Sequence, residues 1–211
     1  MKDIVIIGAG GFGREVQWLI ERINAKELQW NIVGYIDDGK EKGTMVNDIP
    51  VVGNIEELVC MDREIYAACA IGAASVRKQV IDRIKNNPWI QYPVLIDPSA
   101  KMSHRIEVGK GSIICAGNIL TVNIHIGDFV IINLDCTVGH DAVLEDYVTV
   151  YPSVNISGST HVGTTTELGT GAAIIQGINI GSEVHLGAGA VAVKDIPDRC
   201  TAVGCPARRI H

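Results

Sequence analysis

Apolar residues follow two different rhythms along this chain. Near the N-terminus the run Ile4-Val5-Ile6-Ile7 leads into Gly8-Ala9-Gly10-Gly11-Phe12-Gly13, and then Val16, Leu19, Ile20 and Ile23 recur at helical spacing. That order predicts a strand, a glycine loop and an amphipathic helix. A second strand is expected around Ile32 to Ile36, ending at Asp37-Asp38, and a third from Ile65 to Ala70, with a later helix marked by Val76, Val80, Ile81 and Ile84. Strands alternating with helices point to βαβ units and a parallel sheet. Asn87-Pro88 and Tyr92-Pro93 punctuate the exit, and Asp97-Pro98 turns the chain into a different kind of segment.

From residue 108 onward an aliphatic side chain recurs every six positions: Val108, Ile114, Leu120, Ile126, Ile132, Val138, Leu144, Val150, Ile156, Val162, Leu168, Ile174, Ile180 and Leu186. No α-helix has that period. It suits a coil of three short strands in which each hexad supplies one inward aliphatic and one turn, so that 18 residues complete a coil. Seven of the aliphatics are followed by glycine, which is expected to supply permissive backbone at the corners. Four positions after the aliphatics stand small or branched residues such as Ser112, Val130, Cys136, Ala142, Val148 and Thr160, sized for a narrow interior. Ile96 and Met102 keep the register, which places the start of the array near residue 96. The expected organisation is an α/β Rossmann-like domain over residues 1–95, a left-handed parallel β-helix over 96–194 and a C-terminal tail over 195–211.

Composition narrows the function. In 211 residues, 47% are apolar and 20% charged, which excludes a disordered chain, and no apolar run approaches the roughly 20 residues that span a bilayer. With no export signal in view, the expectation is a cytoplasmic protein that does not engage a membrane. The net charge of -6, without a basic block, argues against nucleic acid as a partner and in favour of small molecules. Cys60, Cys69, Cys115, Cys136, Cys200 and Cys205 form no CxxC pair and are read as reduced, with packing roles for Cys115 and Cys136.

Gly8, Gly10 and Gly13 have the spacing of a loop that turns tightly and offers backbone amides at a helix N-terminus, where a pyrophosphate is stabilised. Asp37 follows at the end of the second strand, about where a ribose hydroxyl partner is expected. Asp38 reads as a turn residue or a helper. With only about 90 residues before the array, a nucleoside diphosphate fits better than a dinucleotide, and a sugar nucleotide is the expected ligand. The alternative is a glycine turn that merely packs helix on sheet.

Among the histidines, His140 stands out in Thr137-Val138-Gly139-His140-Asp141, two residues after an inward aliphatic and beside a carboxylate able to fix its tautomer. One coil onward lies Gly158, whose missing side chain leaves room for substrate and an amide suited to an oxyanion. His125 and His161 lie two coils apart and read as exposed. His104 and His140 share a hexad position two coils apart, so a metal held with Glu145 between subunits is an alternative; His185 and His211 carry no signal.

The runs Val5 to Glu15, Gly34-Tyr35-Ile36-Asp37-Asp38, Gly139-His140-Asp141 and Gly204-Cys205-Pro206-Ala207-Arg208 together resemble the bacterial sialic-acid O-acetyltransferase family, which includes the nucleotide-amino-sugar N-acetyltransferases. The resemblance implies an acetyl-CoA-dependent homotrimer without a metal, with the donor between adjacent helices. It implies His140 as the base, Asp141 as its orienting carboxylate and Gly158 as donor to the thioester oxygen. Asn133 would touch substrate; Gly10, Gly11 and Phe12 would hold the diphosphate, with Asp37 and Asp38 near the nucleoside. Outward apolar residues such as Ile113, Ile119 and Ile131 are consistent with a trimer face. In two places the chain departs from some amino-sugar members: Phe12 and Thr149 stand where those have histidine, and the Thr149 hydroxyl can bond the acetyl carbonyl but carries no charge. These departures leave room for an acceptor that differs from those of the best-known members; the expected acceptor is a nucleotide-linked amino sugar or sialic acid, with N- or O-transfer open. A metal-dependent hydration enzyme on the same helix and a non-catalytic sugar-nucleotide binder are the competing classes.

Overall fold

A computed structural model describes residues 1–210; His211 lies outside the described residues. The chain divides into two compact units, Met1–Pro98 and Ser99–His211.

In the first unit, β1 (Lys2–Ile7) lies between β2 (Trp30–Ile36) and β5 (Ile65–Cys69), and pairs with both in parallel. Ile4, Val5, Ile6 and Ile7 are buried without alternation, as expected of a central strand covered on both faces. Helix α1 (Gly11–Lys26) follows the glycine loop and buries Val16, Leu19, Ile20 and Ile23. A Cβ on Gly13 would collide with the Gly8 carbonyl, so this glycine lets α1 start tight against the end of β1. Between β2 and β5 the structure adds what the apolar pattern did not predict. Strands β3 (Met45–Val46) and β4 (Ile49–Gly53) form a hairpin, and a short helix α2 (Ile55–Val59) follows. The hairpin turns on Asn47 and Asp48, whose φ angles of 45° and 63° match the mirror-image turn that suits a right-twisted ribbon. β4 pairs with β2 in parallel, and the sheet order is β3-β4-β2-β1-β5-β6, with β6 at Ile90–Gln91. Helix α3 (Ala74–Ile84) also departs from expectation, since Val76 is exposed and Arg77 is buried in its stead. Burial of Arg77 is tolerated because its guanidinium donates to the Ile71 and Gly72 carbonyls at 2.7 and 2.9 Å.

The second unit is a parallel β-solenoid. Each short strand pairs with those 18 residues away, for example Ile113↔Ile131 and Val138↔Ile156, and the inward aliphatics from Ile114 to Leu186 are almost fully buried in one continuous core. The regular count ends near Ala192. Ala202 stacks on Leu186 and Ile196 bridges Ile180, which makes the final coil 16 residues long, and Arg208–Arg209 folds back antiparallel on Thr201–Val203. The stretch after residue 195 therefore carries two strands of a solenoid sheet.

The corner geometry corrects the expectation about glycine. Positive φ falls on the third residue after each inward aliphatic, whether glycine (Gly111, Gly117, Gly171) or not (Asn123, Asp135, Asp141, Ser159). The glycines directly after the aliphatics serve another purpose, close stacking. A Cβ on Gly139 would stand 2.5 Å from the Gly158 nitrogen, and one on Gly127 would stand 2.7 Å from that of Asp146. Coils only about 4.8 Å apart leave no space there for a side chain.

Candidate active site

His140 and Asp141 occupy one corner of the solenoid, between the strands Thr137–Val138 and Val143–Leu144. Asp141 has φ 59°, a conformation aspartate tolerates better than most residues, and the resulting bend brings its carboxylate back to its neighbour. His140 Nδ1 lies 2.8 Å from Asp141 Oδ2. The other carboxylate oxygen accepts from Asn123 Nδ2 at 3.2 Å. Bonding to His140 first and to Asn123 second holds the Asp141 carboxyl below its usual range, with desolvation opposing. An ionised carboxylate only accepts, so the imidazole proton belongs on Nδ1 and the Nε2 lone pair is free. Both side chains are about half exposed, at 50% and 53%.

Gly158 does lie one coil beyond His140, but the space above it is not left for a ligand. The imidazole itself fills it, and a Cβ on Gly158 would be 2.5 Å from Nε2. The Gly158 N–H has no acceptor among the described residues and remains available.

The other expected solenoid residues lie elsewhere. Asn133 is at a different corner, following Ile131–Ile132, and its Oδ1 accepts from the Leu134 amide at 2.7 Å. Thr149 is 1% exposed and presents no open surface in a single chain. Ile113 and Ile131 are likewise buried, leaving Ile119, 43% exposed, as the one member of that trio on the surface. An outward hexad position is thus not the same as an exposed one. Glu145, considered as a metal ligand, instead bonds His161 Nε2 at 3.1 Å and the Thr164 amide at 2.9 Å. His125 pairs with Glu107 at 3.1 Å. No group of three His, Cys, Asp or Glu side chains among the described residues is arranged to hold a metal. All six cysteines are free, and burial pushes the Cys69 thiol up to about 12 and Cys136 up to about 11, which leaves neither a nucleophile near neutral pH.

In the first unit a cavity of about 430 Å³ opens at the glycine loop, lined by Ala9, Gly10, Gly11, Arg14, Lys40 and the hairpin residues 45–47. A Cβ on Gly10 would meet nothing within 4 Å, so the loop backbone faces open space there. Phe12, Asp37 and Asp38 do not line this cavity. Asp37 accepts the Ala9 amide at 2.7 Å and the Gly39 amide at 2.9 Å, which ties the loop to the end of β2. Asp38 accepts the first amide of α2, that of Ile55, at 2.9 Å and lies 3.6 Å from Arg83. The two cations and Asn47 escaped sequence reading because they sit outside the glycine motif. Asn123 was within reach of it, since it precedes Asp141 by one coil of 18 residues.

Residues 3–84 match the PglD N-terminal domain family. Over 210 residues the chain is 28% identical to the GDP-perosamine N-acetyltransferase of Escherichia coli O157:H7, spanning 97% of this chain and 95% of that protein. The acetyltransferase domain of PglB from Neisseria gonorrhoeae FA1090 superposes with a TM-score of 0.92 at 32% identity, both chains covered in full. The chain belongs to the hexapeptide-repeat sugar acetyltransferases. The same PglB domain has a structure in complex with acetyl coenzyme A, at TM-score 0.91 and 32% identity over 99% of each chain. PerB from Caulobacter crescentus, in complex with CoA and GDP-perosamine, has a TM-score of 0.89 at 30% identity, over 100% of this chain and 98% of that one. Within this acetyltransferase family, the α/β unit and the β-solenoid of the present chain are both accounted for.

Proposed function

We propose that this chain transfers the acetyl group of acetyl-CoA to the amino group of a nucleotide-linked sugar. The observation that carries the reading is the His140–Asp141 pair, with its proton assigned to Nδ1 and its Nε2 free. In the proposed reaction Nε2 takes a proton from the amine as its nitrogen attacks the thioester carbonyl. The oxygen of the tetrahedral intermediate accepts from the Gly158 N–H, the C–S bond breaks, and the imidazolium returns its proton to the departing CoA sulfur. Asp141 holds the ring and stabilises its charged form. The loop cavity, with amides at Gly10 and Gly11 and cations at Arg14 and Lys40, suits the diphosphate of the acceptor. Amine rather than hydroxyl transfer, and a nucleotide-linked acceptor rather than free sialic acid, are favoured by the GDP-perosamine N-acetyltransferase relatives and by a loop cavity lined by two cations, Arg14 and Lys40.

The working form in this reading is a homotrimer. Asn133 and His140 stand at different corners of one solenoid, so assembly is the means of bringing one chain's His140 towards a neighbour's Asn133, with CoA between solenoids. Six free thiols fit a cytoplasmic setting.

Thiol release from acetyl-CoA, measured against a panel of nucleotide-linked amino sugars and free sialic acid, tests the assignment. Turnover is expected with an amino sugar nucleotide, and His140→Ala should lower it by roughly 10²- to 10⁴-fold with acetyl-CoA affinity nearly unchanged. An alanine variant with wild-type turnover and an unaltered acidic limb would remove His140 from the chemistry.

A further inference from the structure

We infer that Asn123 is a positioning residue for the transfer reaction, acting on the base through Asp141. The inference rests on the reading of His140 as that base. Asp141 must present one oxygen to His140 Nδ1 while its side chain stands about half in solvent. Packing does not hold it there, because the carboxylate is 53% exposed. The constraint comes from hydrogen bonds, one to each oxygen: His140 Nδ1 on Oδ2 at 2.8 Å and Asn123 Nδ2 on Oδ1 at 3.2 Å. Without Asn123 the carboxylate is free to rotate about its last torsion, and the imidazole loses the partner that fixes both its tautomer and its direction.

The stacking of coils makes this arrangement possible. Asn123 and Asp141 are 18 residues apart and occupy equivalent left-handed corner positions, with φ 55° and 59°. Their side chains therefore leave the backbone in the same direction one above the other. Asparagine is among the few residues comfortable in that conformation, so its presence alone could reflect only the turn. What a turn does not require is an amide donor aimed at the carboxylate of the next coil. Ser159, at the following corner, shares the same φ class at 54° without a side-chain bond to Asp141.

Two substitutions separate the roles. Asn123→Gly keeps the corner, since glycine accepts positive φ without strain, and removes only the donor. Asn123→Asp keeps the shape and the turn preference but replaces the donor with a second carboxylate. The charged and titratable groups near this corner are His104, Arg105 and the Glu107–His125 pair from preceding coils, with Gly158 and Ser159 neutral on the next; all are unchanged in both variants. Asn123→Gly should lower kcat by about tenfold, the worth of one hydrogen bond to a charged group, with KM for acetyl-CoA and the thermal midpoint nearly constant. Its acidic limb should move to lower pH, because a carboxylate that wanders stabilises the imidazolium less. Asn123→Asp should also lose turnover, but its limb should move to higher pH, because added negative charge favours the imidazolium. Wild-type kcat and limb in Asn123→Gly, while His140→Ala is inactive, would overturn the positioning role and leave the base assignment standing. Activity in His140→Ala would instead overturn the base, and with it the premise.

Discussion

His140, Asp141 and Gly158 meet at one corner of the solenoid, and the proposed chemistry depends on the place of each in the coil. The imidazole rests where a side chain on Gly158 would be, so Gly158→Ala should push the ring off its position at little cost to the fold, since the displaced atoms are the end of a flexible side chain. The expected result is a fall in kcat of roughly tenfold or more with an unchanged thermal midpoint, read by steady-state kinetics beside calorimetry. The pH response follows from the same pair. Asp141 is depressed, so its contribution to stability and to the dyad is present above the unfolded carboxylate range and is lost only as pH falls through the lowered folded value. Loss of the Asp141 contribution is therefore confined to the acid side of the ordinary carboxylate range. The dyad was legible in the sequence because its members are neighbours. Asn123 was not recognised, although the 18-residue spacing contained it, because spacing shows stacking and not which oxygen a side chain faces.

Within the elements, the glycine loop illustrates how one motif contains two kinds of residue. Gly13 is needed for packing, since any Cβ there meets the backbone carbonyl of Gly8, whereas Gly10 faces open space at the N-terminus of α1. Gly13→Ala should destabilise the protein by about 1–3 kcal/mol, the usual cost of overpacking. Gly10→Asp should leave the thermal midpoint nearly unchanged, while titration calorimetry shows weakened sugar-nucleotide binding and intact coenzyme A binding. Equal loss of both ligands would mean general damage. No loss of either would leave the loop as packing alone. The strand, loop and helix were evident from apolar runs long enough to show a period. The β3–β4 hairpin was not, because Met45–Val46 has only two residues, and two residues carry no rhythm.

For the whole molecule, the trimer is the prediction that decides most. Ile113, Ile131 and Thr149 are buried within the chain, so the expected trimer should draw its interface from other, exposed groups such as Ile119. Sedimentation at micromolar concentration should show three chains, with activity lost on dilution as they separate. A monomer of full activity would mean that the corner bearing Asn133 has no part in the reaction.

The sequence by itself determined the solenoid, its core and the stacking of His140 on Gly158, since a regular 18-residue coil turns separation along the chain directly into neighbourhood in space. It also determined the opening strand, loop and helix of the first unit, through local periodicity. Only the tertiary structure decided which outward positions are exposed, that Asp37 and Asp38 bond backbone amides beside the loop cavity without lining it, that Arg77 replaces Val76 in the interior, and that Asn123 holds Asp141. Each of these depends on the direction of a side chain and on groups brought near by folding, and neither is encoded in the alternation of apolar and polar residues.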